Sequence, residues 1–405
     1  MTALKIDFAK AVAKAVAFDF YGYLRMRLLS YLASATDILN LYQGEMPFAA
    51  WLKNHFRQHK KFGSRDRKII ADLCFCFFRT GSAFAELSVH DRILIGQFLC
   101  HTESRFIVEL KPDWSERIKA APADKMAFLK EEPTSVFPWI NYVNPAINKE
   151  AFALSFLHQP DLFLRIRPGK EKAVVQKLHA AGINFSQYGN CLRFSNSTAV
   201  DDVLLIDEEV VVQDRSSQRV LEPLQEYFTK TKFKAWDCCA ASGGKTILLH
   251  DKHPQAAITV SDIRESIIIN LKNRLKRAGL NAYRSLVADV ASPHFSLHQA
   301  FDLVICDAPC SGSGTWARTP EQLSFFPEEK IDYYAGLQKR IAVNASRHLT
   351  KGGAFLYITC SVFTRENEDV VAYLEENTGL QLRTKKYFTG YTERSDTLFA
   401  ALFIA

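Results

Sequence analysis

No low-complexity segment, internal repeat or long uninterrupted apolar run occurs in this chain of 405 residues. The first absence excludes extended disorder, and a hydrophobic content of 48% beside 23% charged residues agrees with packed globular domains. A chain of this length is too long for one ordinary core and implies two or three domains. Lys5, Asp7, Lys10, Lys14 and Asp19 interrupt the apolar residues of stretch 1–20, which leaves neither a signal-peptide core nor a membrane span there. A soluble, cytoplasmic protein without a membrane partner is expected. Cysteine is sparse, nine residues without regular spacing outside two local motifs, so the sequence predicts no disulfide framework, no metal site and reduced thiols. Acid is scarce in one place. Lys53, Arg57, Lys60, Lys61, Arg65, Arg67 and Lys68 crowd a stretch whose single acid is Asp66, within a chain of net charge +7. Such a cluster either binds phosphates or is a solvated helix face.

From Ile6 to about Lys130, apolar residues recur at helical spacing, as in Ile69, Ile70, Leu73, Phe77 and Phe78, with few alternating runs. Gly63 breaks the pattern and Ser64 is expected to cap the next helix. Pro133, Pro138 and Pro145 mark a boundary, after which 162–166 and 191–194 read as strands around a helix at 171–181. A helix is expected over 218–229. Strands then alternate with helices: strands at 233–237, 258–262, 284–288, 301–306 and 354–359, helices at 246–250, 266–278 and 331–349. That alternation builds a mostly parallel sheet with helices on both faces and ligands at the carboxyl ends of its strands.

Three motifs fall at those ends. Asp237-Cys238-Cys239-Ala240-Ala241-Ser242-Gly243-Gly244-Lys245-Thr246 follows the first strand and opens a helix, where small residues let a ligand approach the backbone. A phosphate-binding loop ending in Gly-Lys-Thr needs a glycine where Cys239 stands, which disfavours an NTPase. Acids at three successive strand ends, Asp237, Asp262 and Asp289, suit a ligand with an amine, a ribose and an adenine. The second motif, Asp307-Ala308-Pro309-Cys310-Ser311-Gly312, and the third, Thr359-Cys360-Ser361, bring two cysteines and an aspartate to neighbouring strand ends. Carbon 5 of cytosine becomes nucleophilic only after something adds to carbon 6, which a thiolate can do. A carboxyl group near ring nitrogen 3, for which Asp307 is the candidate, stabilises the adduct, and a second cysteine or water assists release. The other cysteines read as small buried hydrophobes.

At these residues the sequence resembles the RsmB-like, or Sun-domain, family of RNA cytosine-5 methyltransferases, whose members carry D-x-C-A-A-x-G-G-K-T, D-A-P-C-S-G and T-C-S in this order. Val212-Gln213-Asp214, Ser217-Gln218, Arg318, Pro320 and Glu366-Asn367 extend the likeness. The resemblance implies an α/β fold: a Rossmann-like S-adenosylmethionine-dependent methyltransferase domain at 218–405, a small ferredoxin-like α/β subdomain at 141–217, and an all-helical NusB-like RNA-binding domain at 1–140. It implies Cys360 as nucleophile, Cys310 for product release and Asp307 at the cytosine. Cys239, Ala240, Ala241, Ser242, Gly243, Gly244, Lys245, Asp262, Asp289 and Asp307 would hold S-adenosylmethionine. Lys60, Lys61, Arg65, Arg67 and Arg318 would contact RNA. The expected partner is small-subunit ribosomal RNA and the expected state a monomer. Transfer RNA as substrate, or a noncatalytic assembly factor, are the alternatives, and a DNA-type enzyme would instead use Cys310 as nucleophile. The chain departs from the family at Ser242, usually proline, at Ile267, often arginine, and at Asp396-Thr397-Leu398-Phe399, usually D-G-F-F.

Overall fold

The structure, a computed structural model, describes the backbone of residues 2–405 and the side chains from residue 22 onward. The charged side chains Lys5 to Asp19, on which the expectation of no leader peptide rests, lie outside the described side chains. Among the described residues no helix is long and apolar enough to cross a membrane. The chain forms two compact units, one of Met1–Ile140, Phe156–His158 and Thr319–Phe326, the other of Asn141–Ser155, Gln159–Arg318 and Pro327–Ala405.

The first unit is helical: α1 (Thr2–Leu41), α2 (Phe48–Gln58), α3 (Ser64–Arg79), α4 (Val89–Cys100), α5 (Arg105–Leu110) and α6 (Pro122–Phe128). In α3, Ile70, Leu73, Cys74 and Phe77 form one apolar stripe, buried with Leu32 and Ala35 of α1, Phe48 of α2 and Ile93 of α4. Each large apolar side chain so buried contributes about 1.5–3 kcal/mol. Ser64 does not cap α3. Gly63 takes the extended N-cap position, and Asp66 in the first turn accepts the Gly63 N–H at 3.2 Å, so a carboxylate three residues on does the work expected of the serine.

The second unit contains two sheets. Strands β1 (Leu162–Ile166), β2 (Ser186–Tyr188), β3 (Cys191–Phe194) and β4 (Val210–Val212) form an antiparallel sheet in the order β2-β3-β1-β4. Val174 and Leu178 of helix Glu171–Ala180 close its core with Leu164, Ile166, Leu192 and Phe194. Asp251, its carboxylate almost fully buried on the helix Gly244–Lys252, ties that helix to this sheet by accepting from Arg165 at 2.5 Å and Arg167 at 2.7 Å.

The larger sheet has the order β10-β11-β9-β8-β5-β6-β7, with β5 (Lys234–Asp237), β6 (Ala257–Asp262), β7 (Tyr283–Val287), β8 (Phe301–Asp307) and β9 (Leu349–Thr359) parallel. β10 (Gln381–Thr389) and β11 (Thr397–Ile404) add an antiparallel pair at the β9 edge. Both faces are covered. Leu303, Ile305, Leu356, Ile358, Ala400 and Leu402 enter one core, whereas Val304, Cys306, Phe355, Tyr357, Phe399 and Ala401 enter the other. That alternation explains why these strands read as continuous apolar runs. The strand order reverses direction between β5 and β8, which opens a crevice at their carboxyl ends. The helix expected over 218–229 is instead two short pieces, Arg215–Arg219 and Leu224–Tyr227, because Pro223 lies inside the stretch and cannot continue a hydrogen-bonded helix.

Candidate active site

The loop after β5 is shaped by its backbone. Ala241 and Gly243 both take positive φ, 45° and 82°, and a Cβ on Gly243 would stand 2.3 Å from Leu271, so only glycine fits there. Ala240 N–H donates to the Ser261 carbonyl at 2.8 Å, which ties the loop to the end of β6. At Ser242, where the family pattern has proline, Arg274 donates to the carbonyl at 3.0 Å and the hydroxyl at 3.1 Å. Beneath the loop Asp237 is wholly buried, accepts from Thr246 Oγ1 at 2.6 Å, and is pushed up to about 7 by burial.

Beside this loop a cavity of about 630 Å³ opens at the ends of β6 and β7. Cys239, Asp262 and Asp289 line it. Ala240 to Lys245 and Asp307 are not among its lining residues. The Asp262 carboxylate accepts the backbone N–H of Arg264 at 3.0 Å, and Asp289 accepts from Ala291 N–H at 3.0 Å. Ile263, Arg264, Tyr333, Leu337 and Arg340 also line it, and the sequence pattern singles out none of these five. The last three come from helix Glu329–Ser346, whose register toward a loop some ninety residues earlier has no local signal.

The second and third motifs meet. Cys310 Sγ and Cys360 Sγ lie 3.2 Å apart, unbonded and half-buried. Lys245 donates to Asp307, and its ammonium also interacts electrostatically with Cys360. Burial opposes the charge on Lys245, but Asp307 more than offsets this and its pKa is raised. The Cys310 thiol is pushed well up, first by its hydrogen bond with Cys360 and then by burial.

Buried polar side chains fix this geometry. Glu366 Oε2 accepts from Ser311 N–H at 2.8 Å and from Gln338 Nε2 at 2.9 Å, while Oε1 accepts from Ser361 Oγ at 2.7 Å. Gln338 also donates to the Pro309 carbonyl at 2.9 Å. One carboxylate thereby grips the residues that follow each cysteine. Gly314 N–H donates to the Cys360 carbonyl at 2.9 Å, and a Cβ on Gly314 would meet the Thr397 carbonyl at 2.0 Å. In the sequence Glu366 stands out only as part of a motif, and nothing local marks Gln338.

The expected RNA contacts separate into two groups. Lys60, Lys61 and Arg65 are exposed around the start of α3. Asp66, the acid among them, is occupied by Tyr31 Oη, the Gly63 N–H and Arg27. Arg67 is half-buried and donates to the Phe62 carbonyl at 2.9 Å, so it shapes the loop. The Arg318 guanidinium is held between Asp396 and Asp214, each at 2.8 Å, and ties segments of the second unit together.

Residues 224–397 match the family model described as 16S rRNA methyltransferase RsmB/F. Over these residues, which carry all three motifs, the chain is similar to the RsmB/F methyltransferases. The ribosomal RNA small subunit methyltransferase B of Citrobacter koseri is similar, with 27% identity over 366 residues that cover 78% of this chain and 84% of that protein. The solved structure of PH0851 matches with a TM-score of 0.68 at 19% identity, covering 92% of this chain and 98% of that one. The structure of NSun6 from Pyrococcus horikoshii with SFG matches with a TM-score of 0.54 at 15% identity, covering 64% and 95% respectively. The cofactor of an RsmB/F methyltransferase is S-adenosylmethionine, and the residues present fit it: the cavity has the volume of a nucleoside-sized ligand, apolar walls at Ile263 and Leu337, and carboxylates at successive strand ends.

Proposed function

We propose that the protein is an S-adenosylmethionine-dependent RNA cytosine-5 methyltransferase acting on small-subunit (16S) ribosomal RNA. The observation that carries the chemistry is the convergence of Cys310 and Cys360, 3.2 Å apart, beside the Lys245–Asp307 pair and next to a nucleoside-sized cavity. The choice of ribosomal RNA is supported by the description of the family and by the name of the Citrobacter relative.

In this reading Asp262, Asp289 and Cys239 hold the cofactor from the cavity wall, and Ala240 to Gly244 shape the loop beside it. When bound, S-adenosylmethionine supplies an electrophilic methyl group. Cys360, beside the Lys245 ammonium, adds as thiolate through sulfur to carbon 6 of the cytosine. Charge entering the ring at nitrogen 3 meets the proton shared by Asp307 and Lys245. Carbon 5, now enamine-like, takes the methyl group. Once Cys360 is bonded to the base it no longer presses on Cys310, whose thiol can then ionise and remove the carbon 5 proton. The electron pair returns to the ring and the carbon–sulfur bond to Cys360 breaks. Residues 1–140 serve as the RNA-binding domain, with Lys60, Lys61 and Arg65 on phosphates.

The two cysteines have opposite phenotypes under this mechanism, whereas structural roles would make them alike. Cys360→Ala is expected to abolish methylation and adduct. Cys310→Ala is expected to accumulate protein bound covalently to methylated RNA, visible as a slow band on a denaturing gel. The reverse pattern would make Cys310 the nucleophile, and methylation by both variants without adduct would end the covalent mechanism. Mapping 5-methylcytosine in ribosomal and transfer RNA with and without the gene decides the substrate.

A further inference from the structure

A second cluster of reactive side chains lies within the helical unit. Asp72 and Cys76 stand one turn apart on the same face of α3, and His101 follows the last residue of α4. Gly96 brings the two helices together at this point: a Cβ there would lie 2.3 Å from the Cys76 carbonyl, so only glycine permits the crossing. His101 Nε2 is 3.0 Å from Asp72 Oδ2 and 3.4 Å from Cys76 Sγ, and the three donor atoms all lie within 4.8 Å of one another.

Both neighbours converge on the same ring nitrogen. In a nucleophilic triad the histidine would instead face the carboxylate with one nitrogen and the thiol with the other. Convergence on one point is what a cation requires. A tetrahedral Zn²⁺ with bonds of about 2.3 Å to sulfur and about 2.0–2.1 Å to nitrogen and oxygen spaces its donors about 3.3–3.6 Å apart. The spacings of 3.0 Å and 3.4 Å are close to this before any ion enters. The donors are also supported from behind. The Gln97 side-chain amide donates to Asp72 Oδ2 at 2.7 Å and approaches Cys76 Sγ at 3.3 Å, while its own oxygen accepts from Ser104 Oγ at 2.9 Å. A cavity of about 410 Å³, lined by Asp72, Gln97 and His101, gives access from solvent.

We propose that Asp72, Cys76 and His101 form a Zn²⁺ site that pins α3 to the end of α4, with water from the cavity as the fourth ligand. Binding forms the Zn–S, Zn–N and Zn–O bonds and expels the Cys76 thiol proton to solvent, with no change of oxidation state. No metal spacing was legible in the sequence because the ligands are an i,i+4 pair and a single residue 25 positions later, unlike the paired Cys-x-x-Cys spacing of zinc modules.

The test is a Co²⁺ titration of the full chain after chelator treatment, with zinc content measured on the untreated protein. One equivalent of Co²⁺ is expected to give tetrahedral visible bands and a thiolate-to-cobalt charge-transfer band in the near ultraviolet. Cys76→Ser is expected to abolish the charge-transfer band, and His101→Ala to weaken binding at least tenfold. The Cys310→Ser/Cys360→Ser double variant should keep the band, which separates this site from the catalytic thiols. No charge-transfer band in the wild-type chain, or one that survives Cys76→Ser, overturns the proposal and leaves a hydrogen-bonded trio. If Cys76→Ser fails to fold, Asp72→Asn and the double variant carry the comparison: a band unchanged in Asp72→Asn or lost in the double variant also overturns it.

Discussion

The catalytic loop and the cofactor cavity adjoin at the same end of the sheet, yet they are held in different ways. Around Cys310 and Cys360 the backbone is gripped by the buried side chains of Glu366 and Gln338 and by a close approach to Thr397. In the cavity the two carboxylates, Asp262 at the end of β6 and Asp289 beyond β7, accept only from the following few residues. Under the proposed mechanism, the reacting atoms, which must meet within a few tenths of an ångström, sit in the over-determined part. A ligand that must enter and leave sits in the loosely tied part. The exposed basic segment before α3 is looser still.

This ordering predicts a ranking of effects. Glu366→Gln keeps shape but cannot accept at both oxygens, leaving Ser311 N–H, Gln338 or Ser361 without a partner. At about 1.5–3 kcal/mol for a hydrogen bond to a charged acceptor, kcat should fall about tenfold to hundredfold while KM for S-adenosylmethionine stays near wild type. An equal rise in KM would show that the two regions are not separately held. Asp262→Ala should do the opposite, weakening cofactor binding about tenfold for one lost charge-assisted hydrogen bond of about 1.4 kcal/mol. Calorimetry on the folded variant checks this, and unchanged affinity removes Asp262 from the site. Neutralising Lys60, Lys61 and Arg65 together should weaken RNA binding and lower the salt slope by about 2, at roughly 0.7 per phosphate contact. A wild-type slope would make the segment a solvated surface.

A separate effect, on stability rather than on turnover or binding, concerns Asp237. Its pKa is raised from 3.8 to about 7, so the folded state holds a proton that the unfolded state releases. The stability this contributes is fully present below pH 3.8 and is lost as pH rises through about 7. Asp237→Asn should flatten that decline, read as the denaturation midpoint against pH, and a parallel profile would show that Asp237 is charged in the folded protein.

The parallel strands and the glycine loop were legible because their signals are local: apolar runs of strand length ending in Asp237, Asp262 or Asp307, each followed by small residues or a turn. What stayed hidden depends on pairs distant in sequence. Nothing near Arg318 foretells Asp214 and Asp396, and nothing near Ser242 foretells Arg274. That arginine tie offers a reason the loop tolerates serine: two hydrogen bonds restrain a backbone that proline would restrain through its ring. Nothing in the structure explains Ile267. β10 was not anticipated because Arg383, Lys385 and Lys386 dilute its apolar pattern, and the structure supplies β11 as its partner.

The position of Thr397 bears on how the enzyme is born. Its carbonyl lies against Gly314, and its strand continues into register with β9, where Phe399 faces Thr359 just before Cys360. A ribosome delivers Cys310 and Cys360 well before it delivers β11. Until that last strand docks, the loop bearing Cys310 lacks the Thr397 side of its packing, and the loop closure that supplies it spans some eighty residues. A nascent chain therefore carries both thiols before it carries the strand that completes their surroundings.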